Sequence, residues 1–279
     1  MSEEEGERVR GSGVSGMSEL LAVGRYEFRM QARKRSLWLA TAVLATVIGV
    51  FQGPRGPRYL PADAPAPEVM AGWAMLFGIV VPLAFGMVLA DRLIRDRRLG
   101  TAPLLESLPV RPGLLLAGKY LGGVAATGLP ALLLMLVAGG YETVHRGDPL
   151  ILGWAVLAFA LVMLPGLAFV AGFALTCPLA VSAPLFRVLF VGYWFWGNML
   201  TPDFLPSLTG TLVTPIGDYQ ASWLSGELAL FAGVPGWLNF LRPEPGAGSA
   251  LLSIALLLLL GLLPLLVTHT VLARRRHAA

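Results

Sequence analysis

A chain of 279 residues that is 56% hydrophobic and only 14% charged departs far from ordinary soluble domains, in which about a quarter of residues carry charge. A mean hydropathy of +0.69 is more than one water-soluble core of this size can hide, which excludes a soluble enzyme and makes lipid the solvent for much of the surface. The single cysteine, Cys177, excludes a disulfide framework and a cysteine-based zinc site, and the placement of the +4 net charge along the chain points to membrane flanks, with no nucleic acid partner expected.

Residues 1–18, with Glu3, Glu4, Glu5 and Glu7 among Gly and Ser, are expected to form a disordered tail. They contain no apolar signal-peptide core, so no cleavable signal is expected, and Met17 is an alternative start. Organised sequence begins at Glu19. Arg25, Arg29 and Arg33 recur at i, i+4 and predict one basic stripe on a helix. Leu20, Leu21, Val23, Phe28 and Met30 lie mostly off that stripe, while Glu27 and Gln31 intrude on the apolar side. Such a helix is expected to lie flat on the inner leaflet, anchored to anionic lipid. The sharper expectation turns Glu27 or Gln31 towards a partner protein.

One crossing of the hydrocarbon core needs about 20 apolar residues, and the charge-free intervals supply six: spans near 36–54, 69–90, 114–139, 150–175, 182–201 and 246–272. The interval 149–186 is too long for one helix and divides at Cys177-Pro178 and Ala183-Pro184. The expected fold is an all-α membrane protein in which residues 19–276 form one six-span domain. An amphipathic interfacial helix leads it, and a short external helical segment precedes the last span, residues 203–244 being expected as a re-entrant or interfacial segment. With both termini cytoplasmic, only Arg55, Arg58, Arg146 and Arg242 of the 21 Lys and Arg fall outside, which is the positive-inside pattern. A multi-pass protein of the cytoplasmic (inner) membrane is expected, with Arg274 to Arg276 closing the last span.

The connections differ in kind. Residues 52–68 carry five prolines and predict an extended, polyproline-like linker. Residues 203–244 contain the apolar run Leu228 to Val234 between Trp223 and Trp237, and predict two short amphipathic helices dipping into the outer interface. Between the second and third spans, charges from Asp91 to Arg98 precede a short helical stretch that stops at Pro109. Arg97, Arg98, Thr101, Leu104, Leu105, Glu106, Ser107 and Leu108 are its candidate functional residues. Leu104, Leu105 and Leu108 would make a small apolar face on a helix too short to stand alone in water, so a neighbour must hold it.

Gly113, Gly118 and Lys119 imitate the start of a phosphate-binding loop, but Tyr120 replaces the hydroxyl needed for Mg²⁺ and Leu114 to Ala117 are too apolar. No nucleotide binding by this chain is expected. Lys119 is expected to snorkel to the interface, and Gly118, Gly122 and Gly123 to let helices approach closely. His145, His269 and His277 are scattered, and no metal-binding or nucleophile motif is present. Almost no formal charge falls at mid-depth of the spans, against a self-sufficient ion-coupled carrier. Pro82, Pro130, Pro165 and Pro264 should bend four spans, and Tyr193, Trp194, Trp196 and Asn198 should form an aromatic belt in the first instance, or else a subunit contact.

The basic helix leading into the first span, together with Leu108-Pro109-Val110 and Leu114-Leu115-Leu116-Ala117-Gly118-Lys119-Tyr120-Leu121-Gly122, resembles the permease subunits of type 2 ABC exporters. The resemblance covers most of Glu19 to Arg276. It implies a non-catalytic translocation subunit for efflux, paired with a second copy or a paralogue and driven by two separate ABC ATPase subunits that carry the ATP and Mg. It further implies that residues 19–35 are a connecting helix, that Thr101 to Leu108 dock on the ATPase, that the first and fifth spans face the dimer axis, and that residues 203–244 cap the exit. Thr214-Pro215-Ile216-Gly217-Asp218-Tyr219 is similar to an Asn-Pro-containing stretch of some relatives, with Thr214 in place of Asn. Two other readings stay open: a permease-like subunit that supports assembly or maturation of an extracytoplasmic metalloenzyme, and a membrane scaffold without an ATPase.

Overall fold

The structure is a computed structural model that describes residues 3–52, 60–61, 63–94, 100, 111–201, 205–226 and 232–277. Among the described residues the α-helical elements are, in order, α1 Glu3–Ala32, α2 Arg35–Gln52, α3 Ala66–Leu89, α4 Pro112–Arg146, α5 Leu150–Leu179, α6 Ala183–Asn198, α7 Asp218–Ser225 and α8 Ala247–His277. No strand occurs among the described residues.

Prolines and glycines set the boundaries. Pro65 and Arg111 are extended immediately before α3 and α4, whose first turns hold Pro67 and Pro112, where a missing N–H costs nothing. Gly147, at φ 71°, closes α4 in the left-handed conformation. In α5 the helix widens to a π turn at Phe159–Met163, directly before Pro165. The proline ring crowds the carbonyl four residues back and offers no N–H to it, and a wider turn relieves both. A 3₁₀ turn at Cys177–Leu179 ends α5, and Ser182 is extended before α6. The expected division of the interval 149–186 is thus observed.

Among the described residues, four helices are long and apolar enough to cross a bilayer: Ala66–Ile94, Pro112–Arg146, Leu150–Leu179 and Ala247–Val271. The other two expected crossings fall on α2, with 18 residues, and α6, with 16. One apolar core joins α2 to α5 around Met70, Phe77, Met135 and Met163. A second joins α3, α5, α6 and α8 around Leu89, Val170, Phe190 and Leu257. α8 lies at the margin: 28% of its apolar window is buried, against 56–67% for the other three long helices.

The leading helix is seated on the bundle instead of lying clear of it. A Cβ on Gly118 of α4 would lie 2.6 Å from Val23, and one on Gly122 would lie 2.6 Å from the Gly24 carbonyl oxygen. The two bare positions, one helical turn apart, form the slot that admits α1. Lys119, expected to reach the interface, is buried beside this slot. The helix also runs back to Glu3, into the stretch read from composition as a disordered tail.

The segment between α6 and α8 takes the re-entrant course of the two expected for it. Its chain enters the bundle as irregular backbone, turns at Pro215 to Gly217 and leaves as α7. A Cβ on Gly166 would lie 2.0 Å from the Pro215 carbonyl oxygen, one on Gly78 2.8 Å from that of Ile216, and Gly217 itself, at φ 82°, abuts Val162 in the π turn. Gly78 stands about 18 Å along α3 from Ala66, and Gly166 about 24 Å along α5 from Leu150, at 1.5 Å per residue. The tip therefore reaches the middle of both long helices. Among its described residues the segment holds one α-helix, α7, and a 3₁₀ turn at Asn239–Leu241; most of Leu228 to Val234, on which the expected pair of interfacial helices falls, lies outside the described residues.

Candidate functional site

Two polar assemblies stand at different levels of the bundle. The first gathers where α3 ends. Glu27 and Gln31, one turn apart on α1, face inward together. Glu27 takes a two-pronged contact from Arg92, with Nη2 to Oε2 at 2.8 Å, and also accepts a hydrogen bond from Gln31 Nε2 at 2.8 Å. Both charged side chains are almost fully buried, Glu27 at 2% exposure. The adjacent Asp91 points elsewhere and pairs with Arg187 of α6, which also donates to the Met87 carbonyl at 3.4 Å. The end of α3 is thus tied to α1 by one residue and to α6 by the next. Arg25, Arg29 and Arg33 remain exposed as the stripe requires, so the two intruding polar residues find their partner in this chain.

The sequence-derived candidates Arg97, Arg98, Thr101, Leu104, Leu105, Glu106, Ser107 and Leu108 lie outside the described residues. They follow directly on the pinned end of α3. Sequence reasoning passed over Arg92 and Arg187 as members of this junction. Arg187 carried a signal: it is the one charge between Asp148 and Asp203.

The second assembly is the inserted segment, whose irregular backbone must satisfy its own polar groups at a depth where water is scarce. Thr214 Oγ1 and Thr211 Oγ1 each donate to the Leu208 carbonyl at 2.7 Å, and the Thr211 amide donates to Thr214 Oγ1 at 3.1 Å. Ser253 of α8 donates to the Leu212 carbonyl at 2.7 Å and accepts from Gln220 at 3.1 Å. Tyr219 donates to the Pro243 carbonyl at 3.0 Å and accepts from the Gly233 amide at 3.2 Å. Arg242 is the central fastener: its guanidinium reaches the carbonyls of Ser207, Thr209, Val234 and Trp237. Burial pulls its proton affinity below the ordinary arginine range.

The spans bear almost no mid-depth charge, yet the inserted segment brings one there. Asp218, at 1% exposure, follows the tip residue Gly217 and opens α7, where a carboxylate suits the helix dipole. Counting charges inside spans could not find it. The turn residues Pro215-Ile216-Gly217 ahead of it were the available signal.

Gly113 to Lys119 are turns of α4, not a loop that could cradle phosphate. His145 and His269 stand at opposite ends of α4, the latter beside Gly113. Among the described residues no three His, Cys, Asp or Glu gather as metal ligands. The aromatic belt is corrected in part: Trp194 and Asn198 are buried, and Trp194 donates to the Ile79 carbonyl at 2.7 Å, while Trp196 is exposed. Away from the α3 junction, Glu142 accepts from Trp73 and Arg146 at 3.0 Å each, and Arg146 holds the Ala64 carbonyl at 2.6 Å, fastening the proline-rich linker to α4. No family model matches the chain, and no curated protein matches it either.

Proposed function

We propose that this chain is the membrane-spanning subunit of an ATP-driven exporter of the type 2 ABC class, working as a dimer above two separately encoded ATPase subunits. In this reading α2 and α6 complete six crossings of the inner membrane, both termini are cytoplasmic, and the α3 junction faces the cytoplasm. The chain supplies a path and no catalysis; ATP and Mg act on the partner.

The observation that carries the reading is the double tether at Asp91 and Arg92. A helix docked on an ATPase within residues 101–108 would be joined to α3 by a few residues only. Displacement there would act on Arg92, and through Glu27 on the connecting helix α1, and on Asp91, and through Arg187 on α6. One cytoplasmic motion would reach α6 directly and, through the connecting helix α1, the first span α2. For that motion to do work, the ATPase must bind two arrangements of the bundle with different free energies. The exposed apolar faces of α2, at Leu39, Val43 and Val50, and of α6, at Leu185, Val188 and Leu189, offer surfaces for the second copy.

The test is a pull-down of the neighbouring ATP-binding subunit. Replacing Leu104 and Leu105 by Asp should leave the protein in the membrane and abolish association. Unchanged association would remove the docking role from this segment, and no ATPase with the unaltered protein would favour a scaffold.

A further inference from the structure

Beside the α3 junction lies a cavity of about 540 Å³, lined by Lys34, Arg35 and Ser36 at the start of α2, Met87, Val88, Asp91 and Arg92 at the end of α3, and Arg187 of α6. The volume is ample for a small polar ligand. Its charge leans positive among the described residues: Arg92 and Arg187 are paired with Glu27 and Asp91, and Arg35 adds a further cation to the wall. Arg35 is exposed, and neither bond made by Arg187 uses its Nη1. α2 begins here with no acidic residue in its first turn, so its free amides add to the positive potential.

The remaining wall is apolar. Met87 and Val88 belong to a helix long enough to cross a bilayer, and the charged residues stand at its end. A ligand that fits both parts carries an anionic group on a hydrocarbon body at interfacial depth. We propose that this cavity binds the phosphate head group of an anionic phospholipid, held by Arg35 and Arg187, with the acyl chains passing along α3. A free phosphate ion shares the head-group chemistry but has no use for the apolar wall. The site differs from the Arg25, Arg29, Arg33 stripe, which is exposed and attracts a charged surface without enclosing any one lipid. The proposal needs only a chain embedded in a bilayer and is independent of the ATPase partnership.

The experiment is native mass spectrometry of the full chain released from nanodiscs of phosphatidylcholine and phosphatidylglycerol at 3:1, with lipid titration in detergent. One phosphatidylglycerol should be retained per chain. Arg35→Glu should weaken it by about tenfold, whereas Arg29→Gln on the stripe should change it less than about twofold. Ser36→Trp, which fills the cavity without altering charge, should displace the lipid equally, and it serves if Arg35→Glu fails to insert. Inorganic phosphate at millimolar concentration should not compete. Equal losses from the stripe and cavity variants would reduce the effect to general surface attraction and overturn the proposal. Phosphate binding without lipid retention would overturn the lipid assignment.

Discussion

Gly166 and Pro215 meet across the middle of the bundle so closely that a single added methyl group would stand 2.0 Å from the proline carbonyl oxygen. The obstacle is backbone and cannot swing aside. Gly166→Ala should therefore push the tip of the inserted segment off α5 and lower thermal stability in detergent by about 1–3 kcal/mol. Gly153→Ala on the same helix, where the added carbon meets open space, should be neutral or slightly stabilising. Similar melting curves for both variants would show that the tip is not seated as described.

The buried Glu27–Arg92 pair should respond sharply to loss of one partner. Glu27→Gln leaves a guanidinium in an apolar setting without its carboxylate, a change that typically costs about 3–5 kcal/mol. Adding Arg92→Met should restore much of that loss, because the orphaned charge is then gone. Strict additivity of the two changes in a thermal-unfolding cycle would contradict a direct coupling.

The neighbouring Asp91–Arg187 pair should behave differently. Its side chains are 49% and 37% exposed, so water and salt screen the attraction. Arg187→Gln should cost no more than about 1 kcal/mol, and less at high salt. A loss as large as that of Glu27→Gln would mean that the junction is closed to solvent on this side too.

Arg242→Lys keeps the charge and removes the planar fork. A lysine ammonium cannot span the carbonyls of Ser207, Thr209, Val234 and Trp237 at once, and each buried acceptor left bare costs about 1–3 kcal/mol. Amide hydrogen exchange should quicken across residues 206–212 and 234–241 while α3 and α5 stay protected. Uniform quickening would instead mark a global loss of stability.

Much of the helical frame was readable from residue types. Pro112 and Gly147 bracket α4, Cys177-Pro178 and Ala183-Pro184 break the long apolar interval, and Gly118 and Gly122 announce a close helix contact, because each effect is local to a few backbone dihedrals or to one helix face. The basic stripe was readable for the same reason. Glu27 and Gln31 were visible as misfits on an apolar face, but not as partners of Arg92, which lies 65 residues further along. Trp194 read as a belt residue since an aromatic ring near a span end fits lipid and core equally well.

The sequence by itself determined that the chain is helical and meant for lipid, and where prolines and glycines bound α3 to α6, though not where α1 begins: hydropathy and backbone chemistry act within a turn or two. Only the tertiary structure decided between a re-entrant and an interfacial course, taking residues 206–225 into the bundle and Asp218 with them. Threonine hydroxyls, Tyr219, Arg242 and Ser253 satisfy that backbone through contacts up to 41 residues apart, and Gly78 and Gly166 on two other helices make room for it. No local pattern encodes such a fit, since its stability comes from polar groups that water would otherwise have held.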